Sequence, residues 1–174
     1  AEGVDVLMGG GEDEFLPTSD TGCYQEPGER NDNRNLIKEA ISGGYTYICD
    51  STSLASVEPS STHKLLGLFA DEGITRPFSP SLAEMTQKAI DILSNSSDGF
   101  FLMVEGGQID SASHVNDAAN AIRDTVGFYE AVKAAKKYAS LKNDTLIIVT
   151  ADHETGGMTV STTRTGSPDE DGPF

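Results

Sequence analysis

Five side chains in this sequence have the types and spacing to hold divalent cations. Glu105 opens the run Glu105-Gly106-Gly107-Gln108-Ile109-Asp110, and His114 follows Asp110 by four residues. One helical turn, or a tight loop entering a helix, brings residues at that spacing to the same side. A carboxylate oxygen and an imidazole nitrogen so placed suit zinc. Asp152 and His153 are adjacent in Thr150-Ala151-Asp152-His153-Glu154-Thr155-Gly156-Gly157, where a backbone turn can aim both at one ion. Glu105, a hard oxygen donor, suits magnesium or zinc. Taken singly these patterns are commonplace. Asp-x-x-x-His is more often an N-cap or a surface ion pair, and Asp-His after a strand is more often a turn. Two such clusters, holding two of the three histidines and each following an apolar run, point instead to a metal site. His63 stands alone in a Ser-rich stretch and reads as an exposed residue.

Each cluster needs an element to carry it. Phe100–Val104 precedes the first and Leu146–Val149 the second, and both are unbroken apolar runs, the pattern of strands buried on two faces. Val4–Met8, stopped by Gly9-Gly10-Gly11, and Tyr45–Cys49 are further strand candidates. Asn35–Ser42 places Leu36, Ile37, Ala40 and Ile41 on one helical face and ends at Gly43-Gly44. Ser81 and Glu84 have the spacing of a capping box, opening a helix that buries Leu82, Met85, Ala89, Ile90 and Leu93. Asn116–Ser140 is the longest helix, with an inner stripe of Ala119, Ile122, Val126, Tyr129, Val132 and Ala139 and with Lys133, Lys136 and Lys137 near its C-terminal end, where the helix dipole favours cations. Glu12–Asn33 and Ser51–Ser61 read as surface loops, Lys64–Ala70 is apolar but too short to assign, and 161–174 reads as a flexible tail. Strands alternating with helices predict an α/β fold with a mostly parallel sheet flanked by helices, one domain across 1–174. Sites in such sheets lie beyond the carboxyl ends of the strands, where both clusters fall.

The remaining composition narrows the function. The 174 residues suffice for one domain with a core, and no apolar run approaches the roughly 20 residues of a membrane-spanning helix. A net charge of −16 repels phosphate polymers, so nucleic acid and anionic lipid are poor partners, while an acidic balance suits cations or simply a solvated surface. Cys23 and Cys49 can pair in an oxidising compartment or stay reduced, and their spacing does not decide. Glu12, Asp13 and Glu14, directly after the triple glycine, read as a solvated turn, and Tyr24, Tyr45 and Tyr47 as packing or loop anchors without a catalytic partner. Gly9-Gly10-Gly11 lacks the spacing of a nucleotide-phosphate cradle. The first residues form neither a signal peptide nor a Met start, the expectation for a piece of something longer.

At the two clusters the chain resembles an alkaline phosphatase. VEGGQID followed by Ser-His, and TLIIVTADHETGGM after a long helix, are similar to that family's metal-binding core, and DVLMGGG and KLLGLFADEGI resemble it in the same order, over most of Val4 to Val160. The resemblance implies that Asp110 and His114 ligate a first zinc, Asp152 and His153 a second, and Glu105 a magnesium. It implies hydrolysis of phosphate monoesters through a phosphoserine intermediate, a homodimer in the full-length enzyme, and a periplasmic or extracellular location. It also implies that the nucleophilic serine, a bridging aspartate, a phosphate-binding arginine and a threonine ligand precede Ala1, and that the last histidine ligand follows Phe174. The chain alone is therefore expected to be inactive. Ser111 departs from the bulkier residue many members carry there. Two other readings stay open: a non-catalytic metal-binding module, and one chain of a split phosphatase.

Overall fold

The structure, a computed structural model, describes residues 3–159. The tail expected at 161–174 lies outside the described residues. The core is a parallel three-stranded sheet of order β1-β3-β2, with β1 at Val6–Gly9, β2 at Thr46–Ile48 and β3 at Leu65–Leu68. The unassigned stretch Lys64–Ala70 therefore supplies the central strand. Helices and loops cover both faces of the sheet, so all four β3 residues are buried and no polar alternation marks them. The pleat sends consecutive leucines to opposite layers. Leu65 joins Ile48, Leu54, Met85 and Ile92 on one side, while Leu66 and Leu68 join Leu16 and Ile37 on the other. The expected α/β fold with a parallel sheet and flanking helices is present.

Capping chemistry sets the helix starts. In α1, Leu36–Ser42, the Asn35 side chain accepts from the Lys38 backbone N–H at 2.9 Å, and Gly43 follows the last turn. The expected loop after Cys49 instead begins with α2, Ser51–Ser56. The Asp50 carboxylate accepts from the Ser53 backbone N–H at 2.8 Å and from its hydroxyl at 2.5 Å, enough to turn a Ser-rich stretch into a short helix. In α3, Leu82–Leu93, the capping box is complete, since Ser81 and Glu84 each accept the other's backbone N–H. Met85, Ala89 and Ile90 are buried as their spacing predicts, joined by Thr86 and Ile92, whereas Leu93 is half-buried.

The acidic turn after the triple glycine is not solvated. Gly11 and Glu12 donate their backbone N–H groups to the Glu72 and Ala70 carbonyls at 2.6 and 3.1 Å, folding the loop over the end of the sheet. That direction buries Glu12 completely and Asp13 nearly so, leaving only Glu14 exposed. The Glu12 carboxylate accepts from the backbone N–H groups of Cys23 and Tyr24, at 3.0 and 3.2 Å, and from the Tyr47 hydroxyl. Burial, then the hydrogen bond and charge of Glu12, hold the Tyr47 hydroxyl well above the usual phenol range. Cys23 and Cys49 form a disulfide beside this cluster, and Tyr24 donates to the Cys49 carbonyl at 2.7 Å. The tyrosines are anchors, as expected, and His63 is exposed.

Two expected strands and one helix face are corrected. Among the described residues neither Phe100–Val104 nor Leu146–Val149 joins a ladder. Leu102 and Val104 are half-buried while Phe101 and Met103 stand 89% and 75% exposed, so this segment is covered on one face only. Leu146, Ile148 and Val149 are likewise exposed. After α4, Gln108–His114, the long helix α5 runs Ala118–Ala139. It turns Ala121, Asp124 and Ala131 inward, and the expected inner residues Ile122, Val126 and Tyr129 outward. The inward stripe faces α3 and α4, and the charge it carries, Asp124, is paired there with Arg76.

Candidate functional site

The first cluster sits on α4, which follows Glu105-Gly106-Gly107 without a side-chain cap. A Cβ at Gly106 would lie 3.1 to 3.2 Å from Ile109 and Phe128, so the backbone passes close under α5 at this point. Asp110 and His114 share one face of α4, with the His114 Nε2 3.3 Å from the Asp110 carboxylate. Their spacing thus produces the juxtaposition expected of it, and as the structure stands the two form an i,i+4 ion-pair geometry. His114 is exposed and Asp110 half-buried.

The second cluster lies in the irregular segment after residue 149. His153 Nε2 is 3.3 Å from the Asp152 carboxylate, and both side chains are exposed. The other ring nitrogen, Nδ1, lies 3.2 Å from the Glu154 carbonyl and 3.1 Å from the Thr155 hydroxyl. The Glu154 carbonyl beside Nδ1 and the Asp152 carboxylate beside Nε2 can both only accept, so the ring lies between acceptors on its two nitrogens. Thr155 then donates its own hydroxyl to Asp110 at 2.5 Å. This hydrogen bond joins the two clusters, which are otherwise more than thirty residues apart in sequence. Gly156 makes the approach possible. Its φ is +81°, and a Cβ there would fall 2.2 Å from the Ser113 carbonyl of α4.

Glu105 is exposed and, among the described residues, has no hydrogen bond or ion pair to the other four. It lies at the lip of a mainly apolar cleft of about 760 Å³ between β1, α3 and the 102–108 segment. Asp110, His114, Asp152 and His153 do not line that cleft. Among the described residues no three His, Cys, Asp or Glu side chains converge as a ready-made cation cage. The residues that sequence reasoning left unassigned are Thr155, which bridges the clusters, and Arg76 with Asp124, which brace α4 from behind. Thr155 lies within the Asp152-His153-Glu154-Thr155 run, but nothing in its type marks it, and Asp124, between Arg123 and Thr125, reads as an ordinary solvated helix residue.

A parallel α/β layer with Asp/His pairs brought together beyond it is matched by one family. The family model described as alkaline phosphatase matches residues 1–169, and the chain belongs to that family. Alkaline phosphatase 4 of Bacillus subtilis (strain 168) is 41% identical over 162 residues, covering 90% of this chain and 32% of that protein. The solved structure of alkaline phosphatase from the Antarctic bacterium TAB5 superposes with a TM-score of 0.75 at 32% identity, covering 92% of this chain and 44% of that one. A histidine-to-glutamate variant of the TAB5 enzyme, similar at TM-score 0.70 and 31% identity over 88% of this chain and 42% of its own, is described with Mg bound in its M3 site. The chain spans about a third of the length of the curated relatives it matches.

Proposed function

We propose that this chain furnishes part of the metal centre of a phosphate monoester hydrolase, with Asp110 and His114 holding one zinc, Asp152 and His153 a second, and Glu105 a magnesium. The observation that supports this reading is the 2.5 Å hydrogen bond from Thr155 to Asp110, which ties the segment carrying Asp152 and His153 to the helix carrying Asp110 and His114. The donor set fits divalent cations, since each pair offers a carboxylate oxygen and an imidazole nitrogen side by side. When bound, such ions polarise a phosphoryl oxygen and lower the pKa of an attacking or departing oxygen. The residues of this chain hold and orient. Thr155 fixes one Asp110 oxygen and, through Nδ1, the plane of the His153 ring, so that both pairs keep their geometry as substrate arrives. The attacking serine is not among them, and the chain alone does not complete the reaction.

The whole enzyme works as a homodimer in the periplasm or outside the cell. The disulfide suits an oxidising compartment. No helix among the described residues is long and apolar enough to cross a membrane.

Calorimetric titration of the 174-residue chain with zinc tests the ligand assignment. Asp110→Asn and His153→Ala should each weaken binding by at least about tenfold, in line with the loss of one ligand from an incomplete set. Affinity equal to the parent chain's in both variants would remove the reading. With zinc and magnesium added, the chain alone should leave p-nitrophenyl phosphate intact, and rapid turnover would show that the nucleophile had been wrongly placed outside it.

A further inference from the structure

Helix α4 has seven residues and no side-chain cap, too short to hold its own position; short helices owe their stability to what they pack against. Besides the Thr155 hydrogen bond to Asp110 and the Gly156 approach to Ser113, three contacts fix it. Gly106 lies under Phe128 at its start, and Asp117 donates its backbone N–H to the Ala112 carbonyl at its end, at 2.9 Å. The third comes from a distant loop. Arg76 Nε donates to both Asp124 oxygens at 3.0 Å, and its Nη2 donates to Asp124 and, at 3.3 Å, to the carbonyl of Gln108, the first residue of α4. Asp124 is 5% exposed, and the guanidinium is partly covered. A guanidinium fork grips the carboxylate with two donors and reaches the carbonyl with the same rigid plane, whereas a lysine ammonium is a point charge without that fork.

The geometry points to Arg76 and Asp124 as a positioning pair that locks α4 against α5, and thereby sets Asp110 and His114 in the orientation in which both can hold one cation. Asp110 lies two residues after Gln108 and His114 six, so a shift or rotation of the first turn moves both donors together. The pair touches neither donor and acts through the α4 backbone. The inference rests on the proposed metal-binding role of Asp110 and His114, and it adds to that role the two residues on which their alignment depends.

The test uses the 174-residue chain with Arg76→Met and Asp124→Leu combined, a replacement that removes the pair without leaving a buried charge and so preserves the fold. Arg76→Lys is the second variant; it keeps a cation beside Asp124 but gives up Gln108. Two quantities are read: amide hydrogen exchange along 108–114 without metal, with α1 as internal reference, and zinc affinity by titration. We expect exchange in α4 to quicken by about tenfold while α1 is unchanged, and zinc to bind about tenfold more weakly, at an unaltered thermal midpoint. Unchanged α4 exchange in both variants overturns the inference outright. Faster exchange with unchanged zinc affinity also overturns it, provided Asp110→Asn has lost zinc, because the pair is then only a packing device. If Asp110→Asn binds zinc as the parent does, the proposed metal role itself has failed, and the positioning role falls with it.

Discussion

Removing the Glu12 carboxylate should cost this fold more than any single surface change. Glu12 is completely buried and is the acceptor for the backbone N–H groups of Cys23 and Tyr24 and for the Tyr47 hydroxyl. Glu12→Ala leaves three donors without an acceptor, each at about 1–3 kcal/mol, for a gross loss of roughly 3–9 kcal/mol. Against that stands the relief of a desolvated carboxylate, worth several kcal/mol, so the net destabilisation should be about 3 kcal/mol. A domain of this kind has about 5–15 kcal/mol in total. Glu12→Gln keeps one acceptor oxygen but turns an NH2 group toward one of the three donors, and should cost about 2 kcal/mol. Urea unfolding followed by circular dichroism reads both. With a slope of about 2 kcal/mol/M, the midpoint should fall by about 1.5 M in the alanine variant and about 1 M in the glutamine variant. A midpoint within about 0.3 M of the parent for both would mean that Glu12 is solvated after all, and would refute the account of the loop over the sheet.

Reduction of Cys23–Cys49, separated by 26 residues, should lower stability by about 3.5 kcal/mol through the entropy of the freed loop, so equal unfolding midpoints with and without reductant would contradict it. The raised pKa of Tyr47 means that the native state keeps a proton the unfolded chain releases from about pH 10 upward; stability should be full below that pH and decline above it, and Tyr47→Phe should flatten the decline. Asp71 has one buried oxygen with no hydrogen-bond partner, and desolvation followed by the charges of Asp13 and Glu26 raises its pKa. Its native form therefore binds protons more tightly than the unfolded chain, which costs stability as pH rises past the ordinary carboxylate range, so Asp71→Asn should raise the thermal midpoint at pH 7 and do little near pH 4. A lower midpoint at pH 7 would show that the charge has a stabilising partner. Gly156→Ala places a Cβ 2.2 Å from the Ser113 carbonyl at φ +81°, so zinc affinity should fall as the second cluster is driven off α4, and an unchanged titration would dissociate the loop from the site.

What the sequence made legible was governed by local chemistry. The capping box of Ser81 and Glu84, the Asn35–Ser42 helix and the i,i+4 placement of Asp110 and His114 each depend on a few neighbouring residues, and each is present as read. The failures share one cause: partners distant in sequence. Glu12 read as solvated because its three donors lie 11, 12 and 35 residues away. Hydrophobic periodicity in the long helix favours Ile122 and Val126 as the inner face, whereas Asp124 faces inward and its partner Arg76 lies 48 residues earlier. Lys64–Ala70 could not be assigned because a strand covered on both sides loses the alternation that identifies one. Ser51–Ser56 was missed for a local reason, since the Asp50 cap was there to be seen.

The two halves of the described chain also differ in how firmly they hold what they carry. The β1-β3-β2 layer is packed on both faces, capped and cross-linked, and none of the five candidate cation ligands lies in it. All five lie beyond residue 100, where the supporting segments are covered on one face at most and where Phe101, Met103, Leu146 and Ile148 stand open to solvent. Local stability follows buried apolar contact, so the site segments should open at far lower free energy than the sheet. An incomplete ligand set on such segments would have to bear the ordering cost itself each time a cation bound. The few polar ties that cross between segments, Thr155 to Asp110 and Arg76 to Gln108, therefore weigh more here than hydrogen bonds of the same length would in the sheet, because there is little packing behind them to keep the donors aligned.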